Sequence, residues 1–339
     1  MINRHILKKG TVISNMTEAI RKLIAGTFIP AIPLCLDNSR KFDEETQRKL
    51  VRYYMDSGVG GIAAAVHTTQ FAIRDPEINL YERVLSVVAD EVGDSVIKIA
   101  GVCGKVEQAV SEAKLSKQYG YDAVLLSPGG LRDLTEDELI YRAEKVAEII
   151  PVIGFYLQES VGGRRLSYDF WRKFCEIENV HAIKCASFNR YTTIDVMRAV
   201  ALSPRSELIG MYTGNDDNIG VDLLTEYKFG EYSKRFVGGL LGHWAVWTKT
   251  AVQLYNKFKN GTVTPELLTL AAQITDANSA VFDTANNFKG CIAGVHEVLR
   301  RDGIMKNILC LDPDETLSVG QSEELDRIYM MYPHLCTQI

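Results

Sequence analysis

A lysine lies alone in an apolar stretch of this chain. Between Asn179 and Asn189, Lys184 is the only formally charged residue. Burial without a carboxylate partner disfavours the ammonium form and lowers the pKa of a lysine, which then presents a neutral amine. A neutral amine attacks a ketone, so this position indicates Schiff-base chemistry. The alternative, more common for a lone lysine, is a strand-edge side chain whose stem covers apolar surface while its ammonium group reaches water.

Other residues that could carry chemistry also follow short apolar runs. Tyr156 ends one run, and its hydroxyl could carry protons, although a lone strand tyrosine is usually part of the core. Thr68 and Thr69 follow another run and could bind an anion or cap a turn. Asp216 and Asp217 could accept hydrogen bonds from a polyol, or cap a helix and supply its first-turn acid.

These positions follow from a repeated pattern of strands and helices. Short runs rich in Ile and Val alternate with amphipathic stretches of about a dozen residues, which is typical of βα units around a parallel sheet. Eight such runs predict an α/β fold, a closed (β/α)8 TIM barrel. The predicted strands are 28–32, 61–66, 96–100, 122–126, 152–156, 180–184, 207–212 and 236–240.

Helix-capping residues support the same pattern. Asp43 precedes a predicted helix over 44–57, Thr135 opens a capping box, and Thr264 precedes a first-turn proline. Beyond the eighth strand, helices are predicted over about 247–259, 265–285 and 288–301. We therefore expect an N-terminal arm over 1–25 with a short helix after Thr17, a barrel over 26–260, and a C-terminal helical extension over 261–339.

The barrel brings the candidate residues together. Active sites of such barrels lie where the C-terminal ends of the strands meet the following loops. Lys184, Tyr156 and the pair Thr68 and Thr69 all stand at that end of their strands. Strands five and six are neighbours, so we expect the Tyr156 hydroxyl and the Lys184 amine to share one pocket if both face inward.

Composition narrows the possible partners. The 339 residues are 46% hydrophobic and 24% charged with a net charge of -5, which is ordinary for a soluble globular protein. No basic block favours nucleic acid, and no apolar run is long enough to span a membrane. The N-terminus lacks a signal-peptide core, so a cytoplasmic location is expected. Seven scattered cysteines and six separated histidines suggest neither disulfides nor a metal site, and no cofactor is expected.

The ordered motifs resemble the dihydrodipicolinate synthase and N-acetylneuraminate lyase family, the pyruvate-type class I aldolases. The resemblance covers about residues 26–301, and no single motif decides it. The motifs are Thr68-Thr69, Gly101-Val102-Cys103-Gly104, Phe155-Tyr156, Ile183-Lys184-Cys185-Ala186-Ser187 and Thr213-Gly214-Asn215-Asp216-Asp217. The family is also known for homotetramers of barrels with C-terminal helices, so a homo-oligomer, dimer or tetramer, is implied.

The resemblance implies a role for each site residue. Lys184 would form the Schiff base with a 2-oxo acid, and Tyr156 would act as general acid and base. Thr68 and Thr69 would hold the substrate carboxylate. At the end of strand seven, Gly214, Asp216 and Asp217 would contact substrate hydroxyls. Apart from the resemblance, Gly238 and Gly239 in strand eight would leave room for the substrate or let the barrel close tightly.

Several departures from the family pattern separate the possible activities. Gly129 and Gly130 stand where dihydrodipicolinate synthases carry an aromatic pair, and Val161 stands where an arginine is expected, with Arg164 and Arg165 nearby. We therefore expect a Schiff-base lyase or aldolase acting on a 2-oxo acid. The alternatives are a dihydrodipicolinate synthase-type condensation, a sugar-acid dehydratase, and a non-catalytic barrel that binds 2-oxo acids.

Overall fold

The computed structural model describes residues 16–337 and contains an eight-stranded parallel barrel with one added hairpin strand. The strands are β1 Phe28–Pro30, β2 Gly61–Ala64, β3 Ile97–Val102, β4 Ala123–Leu126, β5 Val152–Leu157, β6 Val180–Ala186, β7 Gly210–Thr213, β8 Glu226–Phe229 and β9 Tyr232–Leu241. The sheet order is β1-β9-β7-β6-β5-β4-β3-β2, and a parallel bridge between Ala31 and Ala63 closes β2 onto β1. The predicted (β/α)8 barrel is confirmed.

Apolar side chains fill both faces of the barrel wall. Successive strand residues point to opposite faces, so each strand supplies one set to the barrel interior and one to the surrounding helices. The interior set includes Ile99, Ile153 and Phe155. The outer set includes Val124, Tyr156 and Cys185 and packs against the helical layer. Every residue of β1 to β7 is buried, as continuous apolar runs in a parallel sheet predict.

The eighth barrel strand is longer than predicted. It forms β9, Tyr232–Leu241, whose first half pairs antiparallel with β8, Glu226–Phe229. The sequence analysis missed this hairpin because its residues alternate between exposed and partly buried rather than forming an apolar run. The available signal was Gly230, which has φ +66° at the first position of a two-residue hairpin loop.

Helices follow the strands and cover the outside of the barrel. Their predicted caps are confirmed: the side chains of Thr17, Asp43 and Thr135 each accept a backbone N–H of the helix that follows, and Thr135 forms the full capping box. The helix before β1 is α1 Glu18–Ala25, and the helices that follow the strands are α2 Glu44–Asp56, α3 Tyr81–Val92, α4 Val106–Gln118, α5 Glu136–Ala147, α6 Tyr168–Phe174, α7 Arg190–Leu202 and α8 Ile219–Leu224.

Further helices lie beyond β9 and pack against the barrel. Thr264 caps α10 as predicted, but that helix ends at Val281, short of the predicted residue 285, because Asp283 takes a left-handed backbone with φ +55°. Left-handed Asn287 and Phe288 likewise delay the start of α11 to Cys291. These helices are α9 Thr248–Asn260, α10 Pro265–Val281, α11 Cys291–Arg301, α12 Gln321–Met331 and α13 Pro333–Cys336.

The end of the barrel at which the strands begin is closed by α1. Leu23 of this helix packs in the barrel interior, and the Tyr212 hydroxyl donates to the Leu23 carbonyl at 2.7 Å. The rest of the predicted N-terminal arm, residues 1–15, lies outside the described residues. Within 16–337, the helices are too short or too polar to cross a membrane. The division into 1–25, 26–260 and 261–339 remains a proposal.

Candidate active site

A cavity of about 70 Å³ opens at the C-terminal end of the barrel and contains Lys184 in its wall. Strands, strand-end loops and the C-terminal helices all contribute to it. Its lining residues are Ala31, Val66, His67, Thr68, Phe155, Leu157, Gln158, Val161, Lys184, Ala186, Phe188, Gly214, Asp216, Gly242, Phe282, Phe288 and Cys291.

Lys184 is buried in β6 with a relative exposure of 9%. Its Nζ lies 4.4 Å from the centre of the Phe155 ring, and within residues 16–337 no carboxylate oxygen comes within 4.0 Å of it. Burial lowers the pKa of Lys184, and the negative charge of Asp216 opposes that shift. Lys98, also buried, instead has an ion pair with Asp94 at 3.2 Å. Lys184 thus has the environment of a nucleophilic amine.

Gly214 provides space for the lysine stem. A Cβ atom at this position would lie 2.5 Å from Cε of Lys184 and 2.8 Å from Cβ of Ala186. The Gly214 N–H donates to the Cys185 carbonyl at 2.7 Å, which fixes the end of β7 beside β6. Gly214, predicted as a site residue, is therefore in the cavity wall, and its lack of a side chain lets the Lys184 stem lie close to its backbone.

The two adjacent aspartates point to different places. Asp216 lines the cavity, and burial raises the pKa of its carboxyl group while the charge of Lys184 opposes the rise. Its Oδ1 accepts the His243 N–H at 3.4 Å, and its carbonyl accepts Nδ2 of Asn278 at 2.7 Å. Asp217 is outside the cavity lining and lies 4.0 Å from Arg190. Only Asp216 of this pair is placed to exchange protons beside Lys184.

Tyr156 does not share the pocket of Lys184, so that geometric expectation was wrong. In the β5–β6 register Phe155 pairs with Lys184 and Tyr156 pairs with Cys185. Because alternate residues face opposite sides, Phe155 faces the barrel interior and Tyr156 faces the helices. The Tyr156 ring stacks on Trp171 at 5.5 Å, and its hydroxyl accepts the Leu166 N–H at 3.3 Å.

The two threonines tie β2 to β1. The Thr68 hydroxyl donates to the carbonyl of Ala31 at 2.8 Å, and the Thr69 hydroxyl donates to that of Ile32 at 2.7 Å. Thr68 lines the cavity, whereas Thr69 is fully buried behind it. A substrate can therefore contact Thr68, whereas Thr69 supports the loop that carries it.

His67 is a cavity residue to which the sequence analysis gave no role. Burial, followed by the positive charge of Lys184, lowers the pKa of His67 to about 4. Its imidazole is therefore neutral near pH 7 and both donates and accepts hydrogen bonds. The available sequence signal was its position directly before Thr68 at a strand end.

A buried carboxylate that the sequence analysis also missed organises the neighbouring loops. Asp222 of α8 accepts from Thr213 at 2.7 Å, from Nδ2 of Asn215 at 2.9 Å and from Nη1 of Arg190 at 2.6 Å. Asn215 in turn accepts the Phe188 N–H at 3.0 Å. One acid thereby fixes both loops that flank the cavity, after β6 and after β7.

The remaining candidates from the sequence lie partly inside and partly outside the cavity. Gly239 is not in the cavity lining, because a Cβ there would lie 2.5 Å from the Trp244 ring, and Gly242 lines the cavity instead. Val161 does line it. Arg164 donates to backbone carbonyls of Leu131 and Leu134, in the loop after β4. Arg165 lies in a separate outer depression.

No cluster of three or more potential metal ligands occurs in the part of the chain that the structure describes. The cavity lining supplies an amine, a carboxyl group of raised pKa, a neutral imidazole and a threonine hydroxyl. Such a set supports nucleophilic attack on a carbonyl followed by proton transfer.

Comparisons with known proteins identify the family. The profile of the Dihydrodipicolinate synthetase family matches residues 25–330. N-acetylneuraminate lyase 2 of Escherichia coli O6:H1 is 25% identical over 290 residues, covering 84% of this chain and 87% of that protein. The 4-hydroxy-tetrahydrodipicolinate synthase of Syntrophobacter fumaroxidans is 28% identical over 161 residues, covering 46% of this chain and 53% of that one.

Solved structures show the same fold. N-acetylneuraminate lyase from Fusobacterium nucleatum superposes with a TM-score of 0.73 at 18% identity, covering 91% of this chain and 99% of that one. Dihydrodipicolinate synthase from Acinetobacter baumannii, complexed with pyruvate, gives a TM-score of 0.75 at 20% identity and covers 90% and 98%. The chain belongs to the dihydrodipicolinate synthetase family, the pyruvate-dependent class I aldolases and lyases, as its ordered motifs predict.

Proposed function

We propose that this protein is a Schiff-base-forming lyase or aldolase that uses Lys184 to act on a 2-oxo acid. The observation that carries the proposal is the buried Lys184 amine, which lies in a cavity with no carboxylate within 4.0 Å of it in the described part of the chain. An ammonium ion held there is poorly solvated, so the pKa of Lys184 falls to about 8 and a larger fraction of the amine is neutral near pH 7 than for an exposed lysine.

The first step joins the lysine to the substrate. The Lys184 nitrogen attacks the C2 carbonyl, and the resulting carbinolamine loses water to give an iminium ion. Phe155, and not Tyr156, takes the inward position of β5 beside Lys184, and its ring has no hydroxyl that could carry a proton. Its ring face, 4.4 Å from Nζ, instead stabilises the cationic iminium through a cation–π contact.

Asp216 supports the second step. In cleavage, the C3–C4 bond of a 4-hydroxy-2-oxo acid breaks, its electrons move toward the iminium to give an enamine, and the C4 hydroxyl loses its proton. Asp216 accepts that proton and the aldehyde leaves. The enamine is then protonated at C3 and hydrolysed to release pyruvate. The raised pKa of Asp216 brings the carboxyl group closer to the range in which general acids and bases work well.

The carboxylate of the 2-oxo acid is proposed to lie against Thr68, His67 and Gln158. All three line the cavity and carry hydrogen-bonding groups. The Thr68 hydroxyl, now directed to Ala31, turns toward the ligand in this arrangement. Thr69 supports Thr68 from behind.

The competing functions differ in what they require. Condensation of the dihydrodipicolinate synthase type needs a group for a second carboxylate, but Val161 occupies the wall where an arginine is expected. A sugar-acid dehydratase would use the same lysine and proton carrier on a different bond. A non-catalytic binding barrel has no need of an unpaired amine. Lyase or aldolase activity is therefore the best-supported function.

Borohydride trapping tests the proposal. Pyruvate plus borohydride should inactivate the protein and leave a reduced adduct on Lys184, read by intact mass and peptide mapping. Lys98 is an internal control, since it is buried but paired with Asp94. Lys184→Ala should abolish the adduct. Labelling that persists in this variant, or no labelling of the wild type, contradicts the proposal.

Chelation distinguishes the Schiff-base route from a metal-dependent aldolase. We expect dialysis against EDTA to leave turnover unchanged within about twofold, because the amine supplies the electron sink that a metal would otherwise provide. Loss of turnover that a divalent ion restores would favour the metal-dependent mechanism.

We further propose that the protein works in the cytoplasm as a homo-oligomer, dimer or tetramer. The family resemblance supports the assembly. So does one face of α7, which leaves Tyr191, Ile194 and Leu202 exposed by 83%, 40% and 43%. Light scattering coupled to size-exclusion chromatography tests this, and a monomer at micromolar concentration contradicts it.

A further inference from the structure

The cavity wall beyond Lys184 is apolar. Much of it is formed by hydrocarbon side chains from β5, the loops after β5 and β6, and the segment between α10 and α11. They are Phe155, Leu157, Val161, Phe188, Phe282 and Phe288. We propose that the cavity selects a 2-oxo acid whose chain beyond the reacting C4 atom and its hydroxyl is short and apolar rather than polyhydroxylated. This inference rests on the proposed function and names its substrate class.

Three polar groups that the sequence suggested for the site are replaced by apolar residues or lie elsewhere in the structure. The inward position of β5 is Phe155 rather than Tyr156. Val161 lies in the wall where a guanidinium group was sought. Asp217, expected to bind substrate hydroxyls, is 4.0 Å from Arg190, and its carbonyl accepts the Thr275 hydroxyl at 2.8 Å. The groups suited to a charged or polyol tail are therefore absent from this wall or directed away from it.

Two phenylalanines cover the cavity at an energetic cost. Phe188 and Phe288 have φ of +52° and +65°, a left-handed backbone that bulky residues rarely adopt. Their rings meet edge to face at 5.9 Å. Asn215 holds Phe188 by accepting its N–H at 3.0 Å, and the Asp283 carbonyl holds Phe288 in the same way at 3.0 Å. Glycine or asparagine would fit both positions with less strain, so the aromatic rings indicate that an apolar surface is needed there.

The polar groups of the cavity are already used in the proposed reaction. Lys184 and Asp216 serve the reacting carbon atoms, and Thr68, His67 and Gln158 serve the carboxylate. Additional substrate hydroxyls would lose water without gaining partners, which weakens binding. The volume of about 70 Å³ is half that of an engineered cavity of about 150 Å³ that accepts benzene, so the tail must be short.

A polar depression outside the cavity is the competing location for a hydroxylated tail. It is separated from the Lys184 cavity by Phe188 and Gln158, which line both. The remaining residues around it are Tyr156, Glu159, Ser160, Arg165, Ser187, Asn189, Tyr191 and Thr192. A substrate that used this depression would depend on Arg165 and would not lose binding through its hydroxyls.

Borohydride trapping with two five-carbon acids tests the inference without depending on the direction of reaction. We expect 4-hydroxy-2-oxopentanoate to be trapped on Lys184, as intact and pyruvate adducts counted together, about 10- to 100-fold more efficiently than 4,5-dihydroxy-2-oxopentanoate at subsaturating concentration. That is the scale on which an apolar pocket discriminates against an added hydroxyl. Equal or faster trapping of the dihydroxy acid would overturn the inference. Failure to trap even pyruvate would refute the proposed function itself.

Three variants locate the source of the preference. Phe188→Asn suits the left-handed backbone and adds polarity, so the ratio between the two acids should fall by about tenfold, with trapping of pyruvate as the check that the variant is folded. Phe188→Leu keeps the wall apolar and should preserve the ratio. Arg165→Gln should leave it unchanged. A ratio that responds to Arg165→Gln but not to Phe188→Asn would place the tail in the outer depression and overturn the inference.

Discussion

At the scale of single residues, Lys184 and Asp216 oppose the effect of burial on each other. Desolvation lowers the pKa of the lysine and raises that of the aspartate, and the attraction between their charged forms acts in the opposite direction for both. The neutral amine needed for attack and the ionised carboxylate needed for proton removal are therefore coupled.

Replacement of Asp216 should separate these two roles. In Asp216→Asn the negative charge that stabilises the ammonium form is lost, so the pKa of Lys184 falls further and more amine is present at a given pH. The rate of pyruvate trapping should therefore rise with pH at a lower midpoint than in the wild type. Steady-state turnover should fall by about 10²-fold or more, because the proton carrier is removed.

Asp217→Asn is the matched control, since Asp217 is adjacent in sequence but lies outside the cavity lining. It should leave the midpoint of the trapping profile in place. If both variants, or neither, move that midpoint, the assignment of Asp216 is wrong.

The space beside the lysine gives a second prediction. Gly214→Ala would place a Cβ atom 2.5 Å from Cε of Lys184, so the lysine stem must shift. Misplacement of a nucleophile on this scale costs about 10²-fold in kcat/KM. Single-turnover trapping with pyruvate measures the loss. An unchanged rate would show that the stem has another path to the substrate.

Tyr156→Phe tests the register directly. The hydroxyl lies on the helix-facing side of β5, where it accepts the Leu166 N–H. We expect turnover within about threefold of the wild type and stability lowered by about 1 kcal/mol, the usual value of a lost hydrogen bond. A loss of turnover near 10²-fold would restore this tyrosine as the general acid and base.

At the scale of elements, strand identity could be predicted from the sequence but strand facing could not. The apolar runs located all eight barrel strands, because a parallel sheet buried on both faces produces continuous hydrophobic sequence. That same continuity removes the alternation that would show which residues face inward. Phe155 and Tyr156 were therefore indistinguishable by pattern, and only the pairing of Phe155 with Lys184 separates them.

The loops after the strands were less predictable for a related reason. Asp222 lies in the short helix α8, and its partners come from two other segments: Thr213 and Asn215 from the end of β7 and its loop, and Arg190 from the start of α7. Such a network depends on tertiary packing, which one sequence does not reveal. Thr68 and Lys184 were found because strand ends of a barrel converge on one face, and the family resemblance added Gly214 and Asp216.

Disruption of this network should destabilise the protein. Asp222→Ala leaves the Arg190 guanidinium and two buried polar side chains without their acceptor. We expect a loss of about 3 kcal/mol in the free energy of unfolding, measured in urea, because removing one member of a buried ionic network commonly costs that much. Asp195→Ala is the control, since Asp195 pairs with Arg198 at a site where the two side chains are 38% and 42% exposed. It should cost less than about 1 kcal/mol. A similar cost for both variants would contradict the structural role of Asp222.

At the scale of the whole molecule, the C-terminal helices are part of the active-site wall. Phe282, Phe288 and Cys291 line the cavity, and Asn278 of α10 donates to the carbonyl of Asp216 at 2.7 Å. These helices were predicted from the sequence pattern, but as an extension over 261–339 that lies outside the site. It could not show that they complete the site, because the contacts join residues far apart in the chain.

This shared wall predicts cooperative unfolding. The outer barrel core and the C-terminal helices form one apolar cluster, which extends from Val124 and Trp171 to Val295 and Leu325. Trp171 reports on the barrel and Trp247 on the contact with the C-terminal helices, where its indole N–H donates to the Tyr329 hydroxyl at 3.2 Å. Two variants, in which either Trp171 or Trp247 is the only tryptophan left of the three in the chain, should unfold in urea with the same midpoint. Pyruvate trapping on Lys184 should disappear over the same range, because neither part retains the cavity alone. Separate midpoints, with the Trp247 signal lost first and trapping retained, would show that the helices are an independent unit and that the barrel holds the active site without them.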